Sequence, residues 1–276
     1  NNPVVTTYYE PQVYYVEEIS VSGKEAEEWK LAEYWSSNPG EIFIEDYLGT
    51  KDHIIIPIEI NGKKVSGLAS FGFKTCKART VEIPGYYKKI SHGFAFQNQN
   101  ITSAIIGEGV EIIEDSVFFN TPNLENVRVS KSVGMVLGNC AFKSTKWCEA
   151  QGDYVIVGTV LLYFNGDGAV VNVPNGITTV AELVAVFRDV RKVILPETVT
   201  TLCKSAFSGR GNENIQEFVF TDSLVNIGNG AFGMNKWLDS FGDQPVIING
   251  QLYRCKATES TVVIPDGITS IGNYTF

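Results

Sequence analysis

A segment at the end of the chain repeats the pattern of a segment that occurs about seventy residues earlier. The segment VVIPDGITSIGNYTF (residues 262–276) matches VILPETVTTLCKSAF (residues 193–207) in its apolar positions, its proline and its final phenylalanine. Few side chains in either segment are of the types that carry out acid–base or nucleophilic chemistry. A unit that recurs in this way predicts a structural module of a repeat protein rather than a reactive site.

Eight copies of the unit align on the residue that follows each short apolar strand. The pairs at the strand ends are Ile56-Pro57, Ile83-Pro84, Ile106-Gly107, Val129-Ser130, Val173-Pro174, Leu195-Pro196, Phe220-Thr221 and Ile264-Pro265. In most copies, apolar side chains recur three and six positions later, and a phenylalanine recurs at eleven to thirteen. The phenylalanines predicted to fill the core are Phe73, Phe96, Phe119, Phe142, Phe187, Phe207, Phe232 and Phe276.

A period of about 23 residues with one short strand per copy is typical of a solenoid. In each strand two apolar residues flank a middle residue, as in Val81-Glu82-Ile83. Alternation along a strand sends the flanking pair to one face and the middle residue to the other. A single copy cannot bury its apolar side chains, whereas stacked neighbours can. We therefore predict one curved sheet of about eight stacked strands, joined by short helical turns.

Two insertions interrupt the period, near residues 147–168 and 237–260, and each begins with a Lys-Trp pair. Each contains an alternating apolar run, at Tyr154–Phe164 and Val246–Tyr253. The second run holds an Asn-Gly dipeptide, which is the strongest short signal for a hairpin turn. We predict two β-hairpins that project from the solenoid. Their matching positions indicate a larger duplicated unit of about ninety residues.

Residues 1–50 lie outside the period and are predicted to cap the solenoid of residues 51–276. Ser22 and Glu25 have the spacing of a helix capping box. The segments 29–35 and 41–47 instead flank the turn-forming sequence SSNPG and favour a β-hairpin, which is the preferred interpretation.

Composition argues against several classes of partner and cofactor. The net charge of −9 and pI near 4.9 argue against nucleic acid, which attracts basic surfaces. The longest apolar runs are too short to span a bilayer. The five cysteines lack the clustered spacing of a metal site and are interpreted as buried thiols. One disulfide bond between two of them is the alternative interpretation. We expect no metal and no cofactor.

Catalysis has little support in the sequence. The chain contains two histidines, His53 and His92, and the copy before His92 contains Cys76. A Cys–His pair is conceivable there, but no strand–elbow–helix motif accompanies it, and His92 is interpreted as a turn residue. The chain is predicted not to be an enzyme.

The pattern I-P-x-x-[IV]-x-x-[IL]-G-x-x-A-F resembles the BspA-type leucine-rich repeat family of bacterial surface proteins. It is carried by IPDGITSIG (residues 264–272) and LVNIGNGAF (residues 224–232), and by an entry segment that starts at Gly40. The resemblance implies a right-handed, leucine-rich-repeat-like stack. It also implies an export signal that has been removed, a secreted or surface location, and partner binding instead of catalysis. It carries over no ligand, because members of this family bind diverse partners.

The middle residues of the strands define a candidate partner-binding face outside the core. This face begins mixed, with Glu82 and Arg128, and ends apolar, with Ile194, Val219 and Val263. A contiguous exposed apolar strip marks an interface, although β-branched residues are also simply good strand formers. We expect a protein partner, such as a host extracellular or surface protein, or cover by one of the hairpins.

Two alternatives to protein binding stay open. Hairpin aromatics, if exposed, would favour glycan binding; the candidates are Tyr154, Tyr163, Trp237 and Tyr253. The chain is alternatively a spacer that displays another domain.

Overall fold

The computed structural model describes residues 8–32, 40–91, 95–138, 140–185, 188–255, 262–272 and 275–276. The chain divides into two compact units. The N-terminal unit comprises Pro11–Gln151 with Val157–Val160, and the C-terminal unit comprises Asn1–Glu10, Gly152–Ile156 and Leu161–Phe276. Each unit is described by itself below.

Twelve short strands precede the first insertion in the described part of the chain. They are β1 (Ser20–Val21), β2 (Trp29–Ala32), β3 (Ile42–Tyr47), β4 (His53–Ile55), β5 (Glu59–Ile60), β6 (Lys63–Leu68), β7 (Thr80–Ile83), β8 (Lys89–Ile90), β9 (Ser103–Ile106), β10 (Ile112–Ile113), β11 (Asn126–Val129) and β12 (Met135–Val136). The strands that follow are β13 (Tyr154–Val157), β14 (Val160–Phe164), β15 (Val170–Asn172), β16 (Thr179–Val180), β17 (Lys192–Ile194), β18 (Thr201–Leu202), β19 (Glu217–Val219), β20 (Asn226–Ile227), β21 (Val246–Ile248), β22 (Gln251–Arg254) and β23 (Ser270–Ile271).

Helix is scarce among the described residues. The α-helices are α1 (Lys146–Glu149) and α2 (Lys236–Asp239), and 3-10 helices span Ala26–Glu28 and Asn212–Asn214. The predicted helical turns are therefore mostly irregular turns. The repeat requires this, because a residue with positive φ lies two positions before several buried phenylalanines, as at Ser116, Ser205 and Gly230.

The prediction of a leucine-rich-repeat solenoid is confirmed, and the stack has about nine turns, slightly more than the eight copies counted. The prediction of a single sheet is wrong in detail, because most repeats contribute to two separate parallel ladders. In the N-terminal unit, the main ladder has the order β11-β9-β7-β4 and the second ladder has the order β12-β10-β8. In the C-terminal unit, the main ladder is β15-β17-β19, and the second ladder runs β14-β16-β18-β20.

The second ladder forms at an apolar position of the repeat. This position lies six residues after the residue that follows each main strand. Ile90, Ile113 and Val136 occupy this position and pair in register. Stacking places equivalent residues about 4.8 Å apart. Their main-chain groups can therefore pair here as well as in the main strand.

The core of the N-terminal unit is a column of phenylalanine rings. Phe73, Phe96, Phe118 and Phe142 are fully buried, and successive ring centroids lie 4.8, 4.9 and 5.2 Å apart. The prediction of Phe119 is therefore wrong, since Phe118 fills the column and Phe119 is half-buried.

The backbone conformation just before Phe118 explains why Phe118, and not Phe119, enters the column. Ser116-Val117-Phe118 matches Ser205-Ala206-Phe207, with a positive φ at each serine. Val117 thereby takes the small-residue slot that alanine fills in other copies.

The remaining phenylalanine predictions divide into three outcomes. Phe207 and Phe232 are fully buried in the C-terminal unit, as predicted. Phe276 is 63% exposed, so the prediction that it fills the core is wrong. Phe187 lies outside the described residues.

The predicted duplication is visible in matching contacts after the fourth and seventh copies. The Phe142 and Trp147 rings lie 5.1 Å apart, and the Phe232 and Trp237 rings lie 5.0 Å apart. Each tryptophan is the second residue of a short helix whose N-cap side chain accepts a main-chain hydrogen bond, at Thr145 for α1 and at Asn235 for α2.

Both hairpins form, but they do not project from the stack as predicted. Strand β22 pairs antiparallel with β21 and parallel with β23, and β14 is the neighbour of both β13 and β16. Ile247 is 44% exposed, but most other apolar residues of the two hairpins are buried. The buried residues include Val155, Val157, Val160, Leu161, Leu162, Val246, Ile248 and Leu252. Alternating apolar side chains bury best when the hairpin becomes part of the stack.

The N-terminal segment contains the preferred hairpin, in which β2 pairs antiparallel with β3. Its loop, residues 33–39, lies outside the described residues. The alternative capping-box helix is absent among the described residues, where a three-residue 3-10 helix begins at Ala26 without a side-chain cap. The hairpin belongs to a five-stranded sheet of order β1-β5-β6-β3-β2.

Candidate binding surface

The main ladder of the C-terminal unit presents an outward row of Asn172, Ile194 and Val219. The parallel register pairs Asn172 with Ile194 and Ile194 with Val219. The neighbours Val193 and Phe218 are buried, so alternation turns Ile194 and Val219 away from the core. Ile194 is half-buried and Val219 is 40% exposed. The row therefore presents two adjacent β-branched side chains to solvent.

A second outward row on the same ladder contains Val170, Lys192 and Glu217. Val170 is 46% exposed, and the Lys192 ammonium lies 2.7 Å from the Glu217 carboxylate. The sequence analysis missed this row. Its members directly precede the apolar–x–apolar triplets, so each lies two residues before a middle residue and shares its face.

Val263 is 81% exposed but lies in no described strand. The second hairpin separates its copy from β19, and the main ladder of the C-terminal unit stops at β19. The structure therefore brings Ile194 and Val219 together in one ladder, while Val263 remains apart from it.

The corresponding face of the N-terminal unit is mixed in character. Glu82, Ile105 and Arg128 lie side by side in the register of β7, β9 and β11. The Glu82 carboxylate lies 2.7 Å from Nε2 of His53, while Arg128 is exposed. An acidic, an aliphatic and a basic side chain thus lie next to one another on three neighbouring strands.

An extended segment, the N-terminal strap (residues 11–21), crosses the strand ends of the N-terminal unit. The hydroxyl of Ser130 accepts a hydrogen bond from the Tyr14 N–H (2.7 Å) and donates one to the Tyr14 carbonyl (2.9 Å). The Glu108 N–H also donates to that carbonyl (2.6 Å). A Cβ placed on Gly107 would lie 3.0 Å from Val16.

The strap explains two departures from the proline pattern. Proline at position 130 would remove the hydroxyl that holds Tyr14, and a side chain at position 107 would crowd Val16. The sequence shows that Gly107 and Ser130 replace the usual proline. It does not show that a distant segment of the chain contacts these two residues.

The comparison with protein families identifies the repeat. The family model for the BspA type leucine rich repeat region, in six copies, matches residues 53–149 and 169–276. The chain belongs to the BspA-type leucine-rich repeat family. Repeat proteins of this kind are typically binding modules.

The solved structures similar to this BspA-type chain include three leucine-rich repeat or leucine-rich proteins. A leucine-rich repeat protein of T. pallidum is 19% identical, with 78% of this chain and 87% of that chain covered and a TM-score of 0.40. One from Bacteroides ovatus is 16% identical, with 89% and 60% covered and a TM-score of 0.39. A leucine-rich cell surface protein of Faecalibacterium prausnitzii is 17% identical, with 93% and 73% covered and a TM-score of 0.38. No curated protein matches the chain.

The hairpin aromatics of this BspA-type chain pack against its core. The Trp237 ring lies 5.0 Å from Phe232, and the Tyr253 hydroxyl accepts a hydrogen bond from the Phe232 N–H. Tyr154 packs against Phe164 with centroids 5.4 Å apart. Tyr163 is half-buried. None of the four offers a fully open ring for stacking on a sugar.

The cysteines of the BspA-type fold are all free thiols. Cys76 and Cys255 are buried, whereas Cys140, Cys148 and Cys203 are half-buried, so the prediction of buried thiols holds for two of the five. Burial raises the pKa of Cys76 to about 11, which keeps it protonated and poorly nucleophilic. His92, its conceivable partner, lies outside the described residues.

The described residues hold neither a metal-binding cluster nor a membrane-spanning helix. No group of three or more His, Cys, Asp or Glu side chains there is placed to hold a metal ion. Among the same residues, no helix has the length and apolar character needed to cross a membrane.

Proposed function

We propose that this chain is a secreted or cell-surface binding module that recognises a protein partner through the main ladder of its C-terminal unit. The observation that carries the proposal is the adjacent, outward placement of Ile194 and Val219 in one register. Family membership supports a binding role, and the surface location follows the family resemblance.

The chemistry of the face favours a protein over a sugar. Exposed aliphatic side chains at Val170 and Val219 offer apolar area that a protein interface can desolvate. The ion pair between Lys192 and Glu217 supplies charges of both signs at the rim of this area. The glycan alternative required exposed aromatics, whereas Tyr154, Trp237 and Tyr253 contact phenylalanines of the chain and Tyr163 is half-buried.

The binding role also fits an absence of catalytic arrangement among the described residues. The one histidine described, His53, is paired with Glu82, and the thiol of Cys76 is held neutral by burial. We therefore propose that the chain is not an enzyme.

The test is a binding screen followed by a matched pair of charge substitutions. The chain is screened against arrays of purified extracellular matrix proteins and of glycans, and hits are measured by biolayer interferometry. Val219→Glu is expected to weaken a protein hit at least about tenfold, because a carboxylate would be buried in the interface. Val225→Glu is the control, since Val225 is 62% exposed and lies outside the main ladder.

The outcomes separate the alternatives. Equal loss in both variants, or in neither, overturns the assignment of this face. Glycan hits without protein hits favour the glycan alternative. A chain that binds nothing on either array is the result expected of a spacer.

A further inference from the structure

The first strand of the main ladder in the N-terminal unit, β4, has one open edge. It pairs with β7 on one side and is the last strand of its sheet. The Ile56 N–H donates to the Glu82 carbonyl (2.9 Å), and the Thr80 N–H donates to the Asp52 carbonyl (3.0 Å). Residues 52, 54 and 56 therefore direct their main-chain groups towards β7.

The alternate residues of β4, His53 and Ile55, direct their N–H and carbonyl groups away from the sheet. Among the described residues, no hydrogen bond to these four groups is found. Unpaired main-chain groups on a strand edge are a template for another strand. In most proteins such edges are covered or blunted, and β4 contains neither proline nor a bulge.

A cavity of about 320 Å³ runs along this edge. Its lining includes His53 and Ile55 of β4, together with Glu25, Glu28, Trp29 and Tyr47 from the segment that precedes β4. The Trp29 and Tyr47 rings are buried, with centroids 4.8 Å apart, and give the cavity a rigid apolar wall. The volume is at the small end for a ligand site and suits a short extended segment.

The cavity carries more negative than positive charge. Lys51 pairs with Glu25 (2.8 Å), whereas the Glu28 carboxylate accepts a hydrogen bond from the neutral Tyr47 hydroxyl (2.9 Å). Burial, and then this hydrogen bond, raise the pKa of Tyr47 and keep it a donor. Two carboxylates thus share one lysine, and a cationic side chain entering the cavity would complement Glu28.

We propose that the open edge of β4 is a second binding site, at which an extended segment of a protein partner adds as a strand. The segment pairs with the main-chain groups of His53 and Ile55 and places a Lys or Arg side chain against Glu28. Strand addition of this kind gains affinity from main-chain hydrogen bonds and specificity from alternate side chains. The site lies in a different unit from Ile194 and Val219, and it does not depend on that face.

The probe is an acetylated and amidated pentapeptide of sequence Val-Lys-Val-Lys-Val, titrated into the full chain. Trp29 lines the cavity and reports binding by its fluorescence, and amide NMR shifts at His53 and Ile55 locate it. Saturable binding with shifts at both amides is expected. N-methylation of all five residues is expected to weaken binding about tenfold or more, since it removes every main-chain donor of the peptide.

Two substitutions test the two halves of the proposal. Ile55→Pro removes the outward N–H and leaves the hydrogen bonds to β7 in place, so peptide binding should be lost. Glu28→Gln can still accept from Tyr47 but loses its charge, so the lysine peptide should bind several-fold more weakly while a Val-Thr-Val-Thr-Val peptide is unaffected. Val219→Glu should leave peptide binding unchanged.

Several results overturn the proposal. These are an absence of saturable binding, binding that N-methylation does not weaken, and shifts confined to other residues. If Ile55→Pro does not fold, the N-methylated peptide decides the question with the unaltered chain. Failure here leaves the proposal for the Val219 face intact, because the two experiments use different residues and different probes.

Discussion

The Ser130 hydroxyl holds both main-chain groups of Tyr14, accepting from its N–H at 2.7 Å and donating to its carbonyl at 2.9 Å. The two residues are 116 positions apart in the chain. Ser130 is fully buried and stands where most copies have proline. A departure from the repeat pattern is thus the anchor of the N-terminal strap.

Removing this anchor should loosen the strap. Ser130→Ala leaves the Tyr14 N–H without its partner, and we expect a loss of about 1–3 kcal/mol in the free energy of unfolding. Hydrogen exchange of residues 11–21 should accelerate. Ser132→Ala is the control, because the Ser132 hydroxyl accepts from Gly109 and does not touch the strap. Unchanged strap exchange in Ser130→Ala would contradict the assignment.

The phenylalanine column should make Phe118 far more important than its neighbour. Phe118→Ala opens a cavity between Phe96 and Phe142 and should cost about 3–5 kcal/mol. Phe119→Ala removes a half-buried ring and should cost less than half of this. Urea unfolding of the two variants measures the difference. A larger loss at Phe119 would show that the register deduced from Ser116-Val117-Phe118 is wrong.

The close approach of successive turns should make one glycine indispensable. A Cβ on Gly85 would lie 1.9 Å from the Glu108 carbonyl oxygen in the next copy, so the turns would have to separate. We expect Gly85→Ala to lower the free energy of unfolding by about 3 kcal/mol, at the upper end for overpacking. Gly134→Ala meets nothing within 4 Å and should change stability by about 0.5 kcal/mol or less. Thermal unfolding that is equal in the two variants would contradict this.

Burial of Cys76 should make stability fall at alkaline pH. Burial raises the pKa of its thiol to about 11, whereas an unfolded cysteine loses its proton near pH 8.5. Between these values only the unfolded chain releases the proton, so the free energy of unfolding falls by up to about 1.4 kcal/mol per pH unit from this group. The stability gap between the unaltered chain and Cys76→Ala should therefore narrow between pH 9 and 11. Urea unfolding at each pH measures the gap, and a constant gap would show that the thiol is not held neutral.

The sequence by itself determined the repeat and most of its core. Phe73, Phe207 and Phe232 are buried as the period predicted, and so are the apolar positions Ile90, Ile113 and Val136. The reason is that a stacked module must fill the same space in every copy, so its apolar pattern is visible without any long-range information. The outward row of Ile194 and Val219 followed from the same alternation.

The tertiary structure alone decided the features that join distant segments. The strap on Ser130, the buried hairpins and the open edge of β4 depend on which segments meet, and local periodicity does not encode that. Phe118 and Phe119 have equal hydrophobicity, and the backbone turn at Ser116 decides which one enters the column. The period therefore fixes what each module buries, while contacts between segments far apart in the chain decide which groups remain available for binding.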